Sequence, residues 1–190
     1  MKRFVEFIKY TWKAKGRHGI HSPFVYDLVD RCFQISMNDM IQSSPFRTKQ
    51  QGKKSLRLLL QLVKYLEVSE LVSNYPHLKD LKSVLEAHEL NCTVHQLSAM
   101  DTTALQHTSL VYFSMENTNN SDFEALQIVI KRLNEQTLIV VDGIRKTAEN
   151  QQDWQKIISL DSIHFTADLY SFGMLSKRPQ QEKEHFVLRY

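Results

Sequence analysis

The alternation of short apolar runs with longer amphipathic segments is the feature that most limits how this chain can fold. Runs such as "TLIVVD" (137–142) have the length of a buried strand, whereas the segments between them repeat apolar residues at helical spacing. Strand candidates lie at 69–73, 92–97, 109–114, 137–142, 162–169, 172–177 and 185–190, and helical stretches at 77–89, 121–134 and 148–159 separate the first five. Strands that alternate with helices predict an α/β three-layer sandwich with a mostly parallel, Rossmann-like sheet.

The two ends of the chain depart from this alternation. Three strand candidates crowd into the last thirty residues without a helix, so we expect an antiparallel edge there. Gly173 in this hairpin predicts a close approach or a bulge. The α/β pattern begins with an amphipathic helix at Ser55, so we divide the chain into an α/β domain (55–190) and a basic N-terminal helical arm with its connector (1–54).

The N-terminal arm opens with a predicted amphipathic helix over 3–14. Its apolar face carries Phe4, Val5, Phe7, Ile8, Thr11 and Trp12, with Lys2, Glu6, Lys9 and Lys13 opposite. Docking on its own domain or on a second subunit, which would make a homo-oligomer, is the favoured interpretation because this apolar load is large. A membrane-surface or nucleic-acid helix is the alternative. Further on, Ser22 and Pro23 predict the cap and first residue of a short helix.

The charge of the chain is unevenly distributed. Residues 1–57 hold 12 Lys/Arg against 4 acidic residues, a balance of +8, so the other 133 residues carry −5 of the total of +3. A basic arm on an acidic body indicates either an anionic partner or self-complementarity. A nucleic-acid partner would require Lys9, Lys13, Lys15 and Arg17 to lie on one exposed face.

Several protein classes are disfavoured by composition. The longest aliphatic run, 138–141, is far shorter than the roughly 20 residues of a membrane span, and no apolar segment follows the basic N-terminus as in a secretory signal. Cys32 and Cys92 stand alone, without zinc-ligand spacing. We therefore expect a reduced, cytoplasmic protein with neither a disulfide framework nor a metal site.

Two terminal motifs carry a resemblance to a known family. His21-Ser22-Pro23-Phe24 follows the basic helix, and "DLYSFGMLSKRPQQEKEHFVLRY" (168–190) closes the chain. With the α/β layout between them, they resemble a bacterial group of class I S-adenosylmethionine-dependent methyltransferase-like proteins, common in Bacteroidetes. The resemblance implies S-adenosylmethionine as the cofactor. It also implies an acidic residue and a glycine-rich turn after the first strand, and an acidic residue after the second.

The positions that match this cofactor pocket are mostly substituted. Ser73 stands at the acidic position after the first strand, Tyr75 and Lys79 stand at the glycine positions, and Gln96 lies near the ribose-binding acid. No glycine occurs between Gly52 and Gly143, although glycine is what lets a backbone approach the methionine portion closely. With Pro76 and a capping Ser73 or Asn74, the turn is instead typical of an ordinary helix start.

The metal site of the metal-dependent O-methyltransferases is also mostly absent. By resemblance, Ser114 matches the first of its three acids, and Asp142-Gly143 matches the final pair, so one carboxylate remains and no metal is expected. Asp142 has two interpretations, a ligand-binding acid at the rim of the sheet or a cap for its own turn. A salt-bridged loop with Arg145 and Lys146 would account for all three residues.

Three functional hypotheses follow. The favoured one is a degenerate methyltransferase-like protein with impaired cofactor binding, which acts as a binding or structural module and in which catalysis is more expected to be absent than present. An active small-molecule methyltransferase with an atypical pocket is the first alternative. A nucleic-acid-associated protein that uses the basic arm is the second.

Overall fold

The fold is a single seven-stranded sheet with helices on both faces. A computed structural model describes residues 2–16, 20–37, 50–97, 108–115 and 121–190. The strands are β1 (Glu70–Ser73), β2 (Thr93–Gln96), β3 (Leu110–Ser114), β4 (Leu138–Asp142), β5 (Phe165–Asp168), β6 (Phe172–Ser176) and β7 (Glu184–Val187). The helices are α1 (Lys2–Lys13), α2 (Pro23–Asp27), α3 (Gln50–Tyr65), α4 (Leu78–Ala87), α5 (Ser121–Arg132) and α6 (Ala148–Ser159), and α2 continues as a π-helix over Leu28–Cys32.

The strand order is β2-β1-β3-β4-β6-β5-β7. Strands β2, β1, β3 and β4 run parallel to one another, and β6 runs antiparallel to both of its neighbours, β4 and β5. The outermost strand, β7, pairs parallel with β5. The predicted α/β class, with a mostly parallel sheet and antiparallel pairing toward its C-terminal edge, is confirmed.

Alternate residues of the central strands supply two separate cores, as the pleat of a sheet requires. On one face Leu71, Leu110 and Val140 pack with α2, the π-helix, α3 and α4. On the other face Val72, Val111 and Val141 pack with α5 and α6. These two cores give the three-layer arrangement.

Gly173 on β6 is a point of close approach, as the sequence predicts. A Cβ atom built there would lie 2.3 Å from the indole ring of Trp154, which is fully buried on α6. Only glycine therefore lets α6 lie this close to the sheet.

The arm is joined to the far edge of the sheet. The backbone N–H of Lys15 donates to the Val187 carbonyl (2.8 Å), and the N–H of Arg189 donates to the Lys15 carbonyl (3.1 Å). Helix α3 begins at Gln50 and so crosses residue 54, where the sequence places the domain boundary. Among the described residues, no helix combines the length and the apolar character needed to cross a bilayer.

Candidate functional site

The residues that match the family's cofactor pocket and metal site lie together at the carboxyl ends of four adjacent strands. Ser73 ends β1 and lies in register with Gln96, the last residue of β2. Ser114 ends β3 and lies in register with Asp142, the last residue of β4. Tyr75 follows β1 by two residues. Two acidic residues near these strand ends in the sequence, Asp101 five residues after Gln96 and Glu116 two residues after Ser114, lie outside the described residues.

The side chain of Asn74 joins the end of β1 to the end of β3. Its Nδ2 donates to the Ser114 carbonyl (2.9 Å), and its Oδ1 accepts from the Ser114 N–H (2.7 Å). The amide therefore bonds both backbone groups of Ser114, much as a residue of a neighbouring strand would. Ser73, fully buried, closes the same turn with its Oγ, which accepts from the N–H of Tyr75 (3.0 Å).

These bonds correct the predicted helix start. Helix α4 begins at Leu78, and His77 occupies its N-cap position without a capping side-chain hydrogen bond. Ser73 and Asn74 do not cap the helix, because their side chains are used within the turn and across to β3. The expectation of a cap from either residue is therefore wrong.

The β1 turn, residues 73–77, also has no conformational need for glycine. None of its residues has a positive φ. The ring of Tyr75 is half-buried and lies edge-on to two neighbours, with centroid distances of 6.2 Å to Tyr112 and 5.7 Å to His77. The Tyr75 ring thus packs against neighbouring aromatic side chains of the domain, and the backbone of the turn needs no left-handed residue.

A buried tyrosine meets Asp142 at the end of β4. The hydroxyl of Tyr112, a residue only 6% exposed, donates to Oδ2 of Asp142 (2.7 Å). Burial, then the negative charge of Asp142 and this hydrogen bond, raise the pKa of Tyr112 well above its usual value. The phenol therefore stays a neutral donor. One carboxylate oxygen of Asp142 is thus held by the protein itself.

The β4 turn, residues 142–147, is held by a second asparagine. Gly143 has a φ of 86°, in the left-handed region, and its N–H donates to the Ser171 carbonyl (3.0 Å). Asn150 Nδ2 donates both to the Gly143 carbonyl (2.9 Å) and to the Met115 carbonyl just beyond β3 (3.0 Å). Thr147 caps α6 by accepting from the Asn150 N–H (3.1 Å).

Arg145 makes a different ion pair from the expected one. Its guanidinium donates two hydrogen bonds to the Asp168 carboxylate (2.7 and 2.5 Å) and a third to the Tyr170 carbonyl (2.7 Å). Burial alone would lower the pKa of Arg145, but its hydrogen bonds to Asp168 and the charge of that carboxylate raise it overall. The expectation that one salt-bridged loop accounts for Asp142, Arg145 and Lys146 is wrong for Arg145.

Four residues of this region carry contacts that the sequence did not predict: Asn74, Tyr112, Asn150 and Ser55, whose hydroxyl bonds the Tyr112 phenol. Only Tyr112 left a recognisable signal. A tyrosine inside the otherwise apolar strand "LVYF" must find a partner for its hydroxyl when buried.

The geometry does not match the cofactor contacts that the resemblance implies. The Ser73 hydroxyl accepts from its own turn, both amide atoms of Asn74 are bonded to β3, and Asp142 accepts from Tyr112. The N–H groups of the turn are not presented by left-handed glycines. Among the described residues, no three His, Cys, Asp or Glu side chains are grouped so as to hold a metal ion.

Comparisons with known proteins find distant structural likenesses. The chain is similar to the cofactor-bound structure of Rv0187 from MTB (12% identity, 74% of this chain and 87% of that one, TM-score 0.46). It is similar to a methyltransferase from Geobacter sulfurreducens (10%, 75% and 88%, TM-score 0.47) and to a putative O-methyltransferase from Klebsiella pneumoniae (10%, 84% and 92%, TM-score 0.42). No family model matches the chain, and no curated protein matches it.

Proposed function

We propose that this chain is a methyltransferase-like protein that no longer holds S-adenosylmethionine and that acts as a binding or structural module in the cytoplasm. The proposal rests on the two hydrogen bonds between the Asn74 side chain and the Ser114 backbone (2.9 and 2.7 Å), which we call the Asn74 clasp. A cofactor turn must leave its donors and acceptors directed at the ligand. Here the side chains of Ser73 and Asn74 are directed at the protein.

The contacts on either side of the clasp support the same conclusion. Asp142 accepts from the buried Tyr112, and the ring of Tyr75 lies beside Tyr112 at a centroid distance of 6.2 Å. A ligand at this edge would have to replace these hydrogen bonds with its own and displace an aromatic side chain. The loss of buried, charge-assisted hydrogen bonds makes that exchange unfavourable.

The direct test is the melting temperature with S-adenosylmethionine and with S-adenosylhomocysteine at millimolar concentration. A site saturated at 100 times its Kd would stabilise the fold by about 2.7 kcal/mol, roughly 5–10 °C for a chain of this size. We expect no shift for the native chain. A dose-dependent rise, together with retention of labelled cofactor in equilibrium dialysis, would overturn the proposal.

The variant Tyr75→Ala sharpens this test by removing the ring and leaving the clasp of Asn74 in place. A cofactor response in this variant alone would identify the ring, and not the Asn74 clasp, as the obstruction. Absence of a response in both proteins is the result expected if the clasp is sufficient to exclude the cofactor. A known S-adenosylmethionine-binding methyltransferase, measured in parallel, establishes that the assay detects binding.

A further inference from the structure

Helix α1 presents a row of large apolar side chains to solvent. The outward stripe consists of Phe4, Val5, Ile8 and Trp12, which are 68%, 48%, 40% and 88% exposed. Their spacing places them along one side of the 12-residue helix. Side chains of this size are seldom left in water over a contiguous patch unless the patch binds something.

The stripe is held outward because the other side of the helix is attached to the domain. The Tyr10 hydroxyl donates to the Leu188 carbonyl, and the ring of Tyr10 lies 5.2 Å from that of Tyr170. Ala14, one turn further, is buried. The helix therefore contacts its own domain through Tyr10, which is not part of the predicted apolar face, whereas Phe4 and Trp12 of that face lie outside the contact.

The charges beside the stripe are positive. Lys9 and Lys13 are exposed, and neither is paired with an acidic side chain among the described residues. Helix α1 as a whole contains four basic residues and a single acid, Glu6. Apolar aromatic residues on one side and lysines on the next are the pattern of helices that lie in the plane of a membrane surface.

We propose that the outward stripe of α1 binds the surface of an anionic lipid membrane, with the apolar side chains among the acyl chains and the lysines at the headgroups. A second copy fits the stripe less well, because antiparallel two-fold pairing of this face would set lysines against the same lysines. Nucleic acid also fits less well. Bases stack on aromatic rings, whereas Val5 and Ile8 gain burial only in an apolar phase. Membrane binding by the stripe does not depend on whether the domain holds a cofactor.

The test is sedimentation of the full chain with vesicles of equal parts phosphatidylglycerol and phosphatidylcholine, compared with phosphatidylcholine alone. We expect binding to the anionic vesicles, a blue shift of Trp12 emission and its quenching by brominated lipid. The second tryptophan, Trp154, is fully buried and provides a constant background. Lys9→Gln/Lys13→Gln should weaken partitioning about 30-fold, and Phe4→Ser/Trp12→Ser should abolish it.

Matched controls place the same changes on other helices. Lys79→Gln/Lys82→Gln removes two exposed lysines of α4, and Ile128→Ser removes an exposed apolar residue of α5, so both should leave vesicle binding unchanged. Absence of vesicle binding would overturn the proposal. So would a Trp12-dependent dimer in analytical ultracentrifugation that binds no vesicles, or salt-sensitive binding of single-stranded RNA without any vesicle binding.

Discussion

The turns after β1 and β4 lie at the same edge of the sheet and are held in different ways. The β4 turn contains Gly143 at a φ of 86° and is closed by backbone hydrogen bonds together with the Asn150 side chain from α6. The β1 turn has no glycine and no positive φ, and the side chains of Ser73 and Asn74 close it. Yet an asparagine amide reaches the end of β3 from each side, Asn74 of the β1 turn bonding Ser114 and Asn150 of the first turn of α6 bonding Met115.

The difference shows two ways in which protein atoms hold the carboxyl ends of strands in an α/β sheet. A glycine turn leaves room for a close approach, and at Gly143 that room is partly taken by the Met115 carbonyl, 3.3 Å from where a Cβ would lie. A turn without glycine has less space for a close approach. Its backbone is stiffer, and its side chains can form hydrogen bonds. The end of β3 is therefore clasped from both sides by protein atoms.

Gly173→Ala should have the largest effect, because Gly173 packs against α6, the helix whose Asn150 bonds the β4 turn. The new Cβ would overlap the Trp154 ring, 2.3 Å away, and force α6 off the sheet together with Asn150. We expect a loss of about 3 kcal/mol in the free energy of unfolding, measured by chemical denaturation. Gly16→Ala is the control, since nothing lies within 4 Å of its Cβ position, and it should change stability by less than about 0.5 kcal/mol.

Asn150→Ala removes the side-chain amide that bonds the β4 turn to the end of β3. It leaves the carbonyls of Met115 and Gly143 without this donor in a buried place, since Asn150 is only 4% exposed. The expected loss is about 2 kcal/mol, seen as a lower denaturation midpoint at an unchanged m-value. Asn91→Ala, at an exposed position, should be neutral. Equal effects of the two variants would contradict a role for the buried amide.

Gly143→Ala tests whether the β4 turn requires glycine at its positive φ. A non-glycine residue at a φ of 86° is strained, and its Cβ would press on the Met115 carbonyl. We expect about 1.5 kcal/mol of destabilisation. Ser73→Ala is the counterpart in the glycine-free turn. It should cost only its hydrogen bond to Tyr75, about 1 kcal/mol. If the alanine at position 143 were tolerated without loss, the contrast between the two turns would not hold.

Asn74→Ala should have an effect as small as that of Ser73→Ala, about 1 kcal/mol, because the Asn74 side chain is itself only half-buried. Combining it with Asn150→Ala measures whether the two asparagine amides cooperate through the end of β3. We expect a coupling of about 0.5 kcal/mol or more from a double-mutant cycle. Strict additivity would show that the two turns act independently.

Most of the secondary structure could be predicted from periodicity. All seven strands lie within about three residues of the apolar runs that predict them, because a buried strand must be apolar wherever it pairs. The start of α3 at Gln50 was not predicted, since 50–54 ("QQGKK") has no apolar repeat. The π-helix over Leu28–Cys32 was not predicted either, because its apolar spacing does not differ from that of an α-helix over so short a span.

The sequence predicted which residues lie at the candidate site, but not which hydrogen bonds they form there. Parallel strands bring their carboxyl ends to one edge, so the gathering of Ser73, Gln96, Ser114 and Asp142 follows from strand assignment alone. The partner of Asn74 is 40 residues away, and that of Arg145 is 23 residues away. No local spacing encodes such pairs, and a polar side chain in a turn has nearer groups that it could equally bond.

The sequence by itself determined the α/β architecture, the glycine-free turn after β1 and the amphipathic helix at the N-terminus. Each of these follows from local patterns of size, polarity and backbone freedom. Only the tertiary structure decided that Asn74 and Asn150 meet the end of β3, that Asp142 accepts from Tyr112, and that Trp12 is directed outward. The physical reason is that hydrogen-bond partners and exposed faces depend on which distant segments pack together, and the packing of the whole sheet selects those segments.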